Sequence, residues 1–317
     1  MDCTDKHEIN FLSHISKHVH LFTEMIVANA IIRGDRKKLL SFKKISNPVT
    51  LQLGGSDPKD LAEACIISED YGYREINLNL GCPSKKVQKN KFGACLMQEP
   101  DLVAKCIEAM KKATSLPISI KTRIGVNNIE NFNFLKSFIQ TTKNAGSYKF
   151  FIHARKALLK KLSPKENLNI PPLKYDFVYK LKEHFKENEI IINGGIKTIQ
   201  EIKNHLSKVD GVMIGRAIYH SPFFLAEIEK EIFHNKNVPS RTEVMQNLIP
   251  YIQEETSKGV QLNHIMRHTI GLFHGQNGSK IWKQYLSKNM CIRDADLQKV
   301  NHIMDQVRKN NPVSLER

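Results

Sequence analysis

Several features are missing from this 317-residue chain, and each absence excludes something. No apolar run approaches the roughly 20 residues that a membrane helix needs, so no membrane partner is expected. The first residues, MDCTDKHEIN, are polar and lack an apolar h-region, so no cleaved secretion signal is expected among them. None of the six cysteines (Cys3, Cys65, Cys82, Cys95, Cys106 and Cys291) belongs to a CxxC pair. Neither a disulfide framework nor a zinc ribbon fits that spacing, and a cytoplasmic, reducing setting is expected. Internal repeats and low-complexity tracts are lacking too. With 41% hydrophobic and 25% charged residues, the chain is not mainly disordered.

Acidic residues are also scarce. Forty-eight Lys+Arg stand against 32 Asp+Glu, a net charge of +16. A polyanionic partner explains such a balance, with nucleic acid first in line. A Lys- and Asn-rich codon bias explains it equally well, so charge alone does not decide.

What the chain does have is alternation. Short apolar runs predict strands at Val19–Thr23, Val49–Leu53, Glu75–Leu80, Ile118–Thr122, Phe150–His153, Ile190–Asn193 and Gly211–Ile214. Helical patterns lie between them, one opened by Ser56 or Asp57 as cap with Pro58 in the first turn. Alternating β and α over about 200 residues means a parallel sheet with helical crossovers. Glycine-bearing turns follow the last two strands, at Asn193-Gly194-Gly195 and Gly215-Arg216, where (β/α)8 barrels hold phosphates. Polar residues close most strands: Glu24, Gln52, Asn79 with Cys82, Lys121, His153, Asn193 and Arg216. The predicted fold is therefore an α/β TIM barrel that lacks its first strand in this chain, the missing strand being expected before Met1. Beyond Pro222 the pattern turns helical: Phe223–Phe233, Thr242–Ser257, Asn263–His274, Ser279–Lys288 and Asp294–Lys309. Ser240-x-x-Glu243 reads as a capping box, and Val244, Leu248 and Ile252 share one helix face. The expected domains are a barrel over residues 1–225 and an all-α bundle over 226–317.

The segment Glu75-Ile-Asn-Leu-Asn-Leu-Gly-Cys-Pro-Ser84 is the most informative. Its strand ends in Asn79 and turns through Cys82 at the rim, whereas most free cysteines are buried as small hydrophobes. Lys121 ends a strand as either a Schiff-base lysine or a fixed cation for an anionic ring. His153 reads as a structural or a catalytic imidazole. His264-x-x-x-His268 lacks a metalloprotease glutamate and a third ligand, so no metal is expected. Lys280-Ile-Trp282-Lys283 suits phosphate neutralisation with a stacking aromatic, or an amphipathic helix that buries Trp282.

Together these segments resemble the tRNA-dihydrouridine synthases. The likeness runs through Gln52-Leu-Gly-Gly-Ser-Asp57, the Cys82 segment, Val87-Gln88, Phe92-Gly-Ala-Cys-Leu-Met97 and Lys121-Thr-Arg-Ile-Gly125. It continues through His153-Ala-Arg-Lys-Ala157, Leu162-Ser-Pro-Lys-Glu-Asn167, Ile170-Pro-Pro-Leu173, Asn193-Gly-Gly-Ile-Lys197 and Gly211-Val-Met-Ile-Gly-Arg216. The branch most similar acts on uridines 20 and 20a of the D-loop. This resemblance implies an FMN-binding barrel followed by a helical tRNA-binding domain. It implies FMN contacts at Gln52, Lys121 and His153, and phosphate contacts at Asn193, Gly194, Gly195, Gly215 and Arg216. Cys82 becomes the proton donor, and Asn79, Lys165, Leu168, Lys280 and Lys283 become tRNA contacts. Two departures stand out: the family's Ala-Pro-Met-type turn, which precedes the segment resembling Met1–His7, is not seen here, and Leu168 replaces an arginine.

The mechanism so implied reduces uracil, with hydride from reduced FMN to C6 and a proton from the Cys82 thiol to C5. NADPH re-reduces the flavin, and a monomer is the expected state. Lys121 would balance charge on reduced flavin, and the uridine must leave its stack, which gives the +16 charge a purpose. Two rival readings remain: a flavin oxidoreductase of a free pyrimidine, of the dihydroorotate type, and a tRNA-binding remnant without flavin.

Overall fold

A computed structural model describes residues 3–160 and 162–289. The helix expected at Asp294–Lys309 lies outside the described residues. By compactness the chain forms two units. One holds residues 20–41 and 48–214; the other holds the described residues 3–19, 42–47 and 215–289.

The first unit is built on seven parallel strands paired in chain order: β1 (Leu21–Val27), β2 (Val49–Gly54), β3 (Glu75–Leu80), β4 (Ile118–Arg123), β5 (Lys149–His153), β6 (Glu189–Asn193) and β7 (Gly211–Met213). Sequential order with helical crossovers is the pattern of a TIM barrel, here with β1 and β7 as the two outer strands. The expected strands recur within a residue or two, except the first. β1 continues past Thr23 because its register shifts between Phe22 and Met25, so Glu24 lies inside a strand rather than at its end. At that irregularity the Thr23 hydroxyl accepts the backbone N–H of Gln52 at 3.0 Å.

Strand parity sorts the side chains onto two faces. Leu51, Leu53, Ile76, Leu78, Leu80, Ile120, Ile152, Ile190 and Ile192 are completely buried, the apolar face that crossover helices cover. The opposite face carries Gln52, Asn77, Asn79, Ser119, Lys121, Arg123, His153 and Asn193. Polar groups at such positions must find one another. Gln52 Nε2 donates to Asn77 Oδ1 at 3.0 Å, and Asn77 Nδ2 donates to Ser119 Oγ at 2.8 Å. Lys149 then pairs with Glu75 (3.2 Å) and Glu189 (3.3 Å) near the strand starts. Asp57 is the cap of the helix Pro58–Ser68, accepting from Lys59 N and Asp60 N.

The second unit is helical. The helix Arg241–Ser257 opens on the expected capping box, with Ser240 and Glu243 exchanging bonds, and Val244, Leu248 and Ile252 are completely buried. The helix expected over Asn263–His274 is shorter, Leu262–Met266 followed by a 3-10 turn Arg267–Thr269. Its early end has two causes. Gly271 packs so tightly that a Cβ there would meet the His220 carbonyl at 2.4 Å, and His268 is drawn into an ion cluster. The His268 ring lies 3.0 Å from Asp5 Oδ1 and 2.9 Å from Glu8 Oε2, carboxylates at the start of the helix Lys6–Ser13. Arg267 also pairs with Asp5.

Burial opposes charge on His268, but the two carboxylates outweigh it and raise its pKa above the ordinary 6.5. A raised histidine contributes stability that is full below pH 6.5 and fades as pH climbs through the folded-state value. Melting scans from pH 6 to 9 should therefore show the wild type losing stability on the alkaline side and His268→Gln lacking that loss. His268→Ala should destabilise by about 3 kcal/mol or more, because Glu8 is left buried without its partner. A pH-independent wild-type melting temperature across that range contradicts the assignment.

Candidate active site

The Cys82 turn is fixed from both ends by backbone bonds. The Asn79 side-chain carbonyl accepts from Gly81 N and Cys82 N, both at 3.0 Å, and its amide donates to Gln52 Oε1 at 2.7 Å. On the far side the Cys82 carbonyl accepts Ala94 N at 2.9 Å. Gly93 makes that approach possible: its φ is +77°, and a Cβ there would lie 2.6 Å from the Cys82 oxygen. The thiol itself is half-buried, while Cys65 and Cys106 are completely buried. Burial pushes both of those thiols up to about 12, which suits inert packing residues.

Beside the turn stand two cations, Lys121 half-buried and Arg123 buried. Lys121 Nζ donates to Asn193 Oδ1 at 3.1 Å, and Asn193 Nδ2 donates to the Met213 carbonyl at 2.7 Å. Burial, reinforced by Arg123, pulls Lys121 down to about 8, with Cys82 acting the other way. Arg123, two residues on and on the same face, is 3% exposed. Its Nε donates to Gly81 O (2.9 Å) and its Nη1 to Lys156 O and Asn167 O (3.1 Å each). One guanidinium therefore ties the Cys82 turn to the loop after β5. Asn167 organises that loop in turn, accepting from Leu158 N at 2.7 Å and donating to the carbonyls of Leu158, Leu162 and Ser163.

The Asn193-Gly194-Gly195 turn lies at the end of β6, with His153 opposite Asn193 in register. Gly194 and Gly195 have φ of +121° and +78°, and a Cβ on either would meet Leu173 at 3.0 or 2.7 Å. His153 borders the same turn, its Nε2 lying 3.3 Å from where a Gly194 Cβ would be. Tyr175 holds the turn from behind, its hydroxyl donating to Gly194 O at 2.6 Å.

The structure thus gathers Gln52, Asn79, Cys82, Lys121, His153, Asn193, Gly194 and Gly195 within one unit and largely at strand C-terminal ends. Lys165 is exposed on the loop after β5, and Leu168 ends its 3-10 turn, half-buried. Gly215 and Arg216 belong to the helical unit, where they open the short helix Arg216–His220. In that unit Lys280 and Lys283 face solvent on the helix Ser279–Asn289. Trp282 is completely buried, its Nε1 donating to Thr269 O at 2.9 Å, so it packs rather than stacks on a base. His264 is exposed and His268 serves the Asp5–Glu8 cluster. Among the described residues no group of three or more His, Cys, Asp or Glu could hold a metal ion, and no helix is long and apolar enough to cross a membrane.

Sequence reasoning missed Arg123, Asn167 and Tyr175. Only Arg123 carried a signal, its spacing of two from Lys121, which puts both on one strand face.

The family model described as Dihydrouridine synthase matches residues 1–308. The chain belongs to the dihydrouridine synthase family. It is 49% identical over 296 residues to the tRNA-dihydrouridine(20/20a) synthase of Synechocystis sp., covering 93% of this chain and 89% of that one. The enzyme of the same description from Vibrio cholerae is 44% identical over 309 residues, 97% of this chain and 94% of the other. That from Haemophilus ducreyi is 47% identical over 306 residues, 96% and 94%. Among solved structures, histamine dehydrogenase from Rhizobium sp. 4-9 superposes with a TM-score of 0.52 at 12% identity, over 77% of this chain and 47% of that one. That likeness shows the fold. The dihydrouridine synthase chain thus combines its family's sequence with a barrel shared by a distant protein.

Proposed function

We propose that this chain reduces uridine to 5,6-dihydrouridine in the D-loop of tRNA, at positions 20 and 20a, with FMN as cofactor and NADPH as reductant. The observation that carries the reading is the Cys82 turn: a half-exposed thiol held by Asn79 and Arg123 beside the half-buried Lys121 cation. Family membership and the +16 charge support the same reading.

The residues present fit FMN. Gly194 and Gly195 leave bare backbone in a left-handed turn, the arrangement that lets a phosphate approach main-chain N–H groups. Among the described residues no carboxylate pairs with Lys121, whose partner is the neutral Asn193 amide. A half-buried cation without a counter-charge suits an anionic ring edge. Gln52, Lys121 and His153 would hold the ring, and Asn193, Gly194 and Gly195 the phosphate. FMN, when bound in its reduced form, supplies the hydride for C6 of uracil.

The chain's own residues do the rest. Uracil C5=C6 is conjugated to the C4 carbonyl, so negative charge developing at C5 needs a proton, and the Cys82 thiol delivers it. Asn79 orients the sulfur through the two backbone N–H groups it accepts, and Arg123 keeps the turn from swinging. The target nucleotide must leave its stack, so Lys165 and, in the helical unit, Lys280 and Lys283 grip phosphates; Leu168 gives an apolar contact on the same loop as Lys165.

Two experiments test this. Mapping dihydrouridine in tRNA from cells lacking the gene should show its loss at 20 and 20a and its return on complementation; unchanged modification refutes the assignment. The second uses pH. FMN titrated into flavin-free protein should bind most tightly near pH 7, where its phosphate is a dianion and Lys121 is charged, and progressively more weakly above about 8, where Lys121 gives up its proton. Lys121→Arg should flatten that decline, and a wild-type affinity that is constant to pH 10 contradicts the role.

A further inference from the structure

We propose that Lys85, Lys86, Lys89 and Lys91 form a phosphate-gripping surface that holds the substrate RNA backbone next to the nucleotide at Cys82. The inference rests on the tRNA reading of the site and names a surface for it that the family resemblance did not assign.

The charge is unneutralised. All four lysines are exposed, and among the described residues none of them joins an ion pair or a side-chain hydrogen bond. Other lysines near strand ends differ: Lys156 and Lys174 share Glu130 at 2.8 and 3.3 Å. Four unpaired like charges within seven residues repel one another, and a polyanion relieves that repulsion.

The surface is also fixed to the thiol. Ser84 Oγ accepts Val87 N and opens the one-turn helix Lys85–Lys89. Gln88 Nε2 donates to Pro83 O (2.8 Å) and Leu159 O (3.0 Å), and Val87 and Phe92 are buried beneath. Lys85 is three positions on from Cys82, so their Cα atoms lie at most about 11 Å apart, and each helical residue adds only about 1.5 Å. Cations at that reach meet phosphates flanking a base held at the sulfur. Lysine binds phosphate as a point charge and reads no sequence, which is what positioning needs.

An independent observation comes from the helix end. Phe92 N bonds to Val87 O (3.3 Å) and Lys91 N to Gln88 O (2.9 Å), the two bonds of a Schellman motif, with Val87 and Phe92 as its apolar pair. The residue in the left-handed position is Lys91, at φ +56°. Glycine usually stands there, and a non-glycine residue costs about 1 kcal/mol. The other described non-glycine residues at positive φ are Asn127 and His234, types that tolerate it better. A lysine kept at an unfavourable backbone position points to a use for its side chain.

The test is equilibrium binding of an unmodified tRNA transcript to the purified protein over a range of KCl concentrations. Lys85→Gln/Lys86→Gln/Lys89→Gln should bind at least about tenfold more weakly at low salt, with the slope of log K against log salt shallower by about 2 to 3, as counterion release requires. The same three positions changed to arginine should restore both. Lys91→Gly should raise the melting temperature and still weaken binding, a pairing that a structural role does not give. Wild-type affinity and slope in the triple glutamine variant overturn the proposal. So does loss of binding to polyglutamate with tRNA binding intact, which makes the surface an acidic-protein site. Wild-type protein that binds tRNA yet forms no dihydrouridine refutes the functional reading and leaves this surface standing.

Discussion

Cys82→Ala should lose dihydrouridine formation by at least about 10²-fold, the scale of a missing general acid, while tRNA binding and FMN retention persist. The turn does not depend on its sulfur. Asn79 holds the backbone N–H groups of Gly81 and Cys82, Ala94 N holds the Cys82 carbonyl, and Arg123 holds the Gly81 carbonyl. Removing the sulfur therefore leaves the scaffold in place and isolates the proton. Rapid mixing of reduced protein with tRNA measures the step directly. A wild-type rate in the variant would remove Cys82 from the chemistry, and a loss of tRNA binding would make it a structural residue.

Arg123→Ala should be the most damaging change outside the reacting groups. It strips a donor from the carbonyls of Gly81, Lys156 and Asn167 at once. Each unsatisfied buried acceptor costs about 1–3 kcal/mol, so the barrel unit should lose about 3 kcal/mol or more, read as a lower melting temperature. Arg123→Lys separates structure from positioning. A lysine can keep a charge near Gly81 but not the fork that spans two loops. This variant should fold and bind tRNA with KM little changed, yet turn over more slowly because the Cys82 turn is no longer tied to the loop after β5. Equal falls in stability and tRNA affinity, with kcat per folded molecule unchanged, would reduce Arg123 to a structural role.

The barrel was legible because its strands are compact apolar runs ending in polar or glycine residues, and six of the seven lie within a residue or two of expectation. β1 misled for a reason that is not local. Its irregularity between Phe22 and Met25 is stabilised by a Thr23 bond to the neighbouring strand, so composition alone ends the strand too early. The Leu262–Met266 helix is cut short by a carbonyl near Gly271 and by two carboxylates near His268, partners about 50 and 260 residues distant. The same logic divides the site. Cys82, Asn79 and Lys121 stood out by position in a recognisable motif. Arg123 and Asn167 gain their meaning from carbonyls 33 to 44 residues distant or from the path of the loop after β5, and no periodicity encodes that.

The most direct measurement is chemical: purified protein loaded with FMN, supplied with NADPH and an unmodified D-loop-bearing tRNA transcript, followed by mapping of reduced uridines. The account expects dihydrouridine at 20 and 20a, dependent on Cys82. Turnover of free uracil or dihydroorotate without tRNA, or a protein that remains colourless after FMN is added, would contradict it.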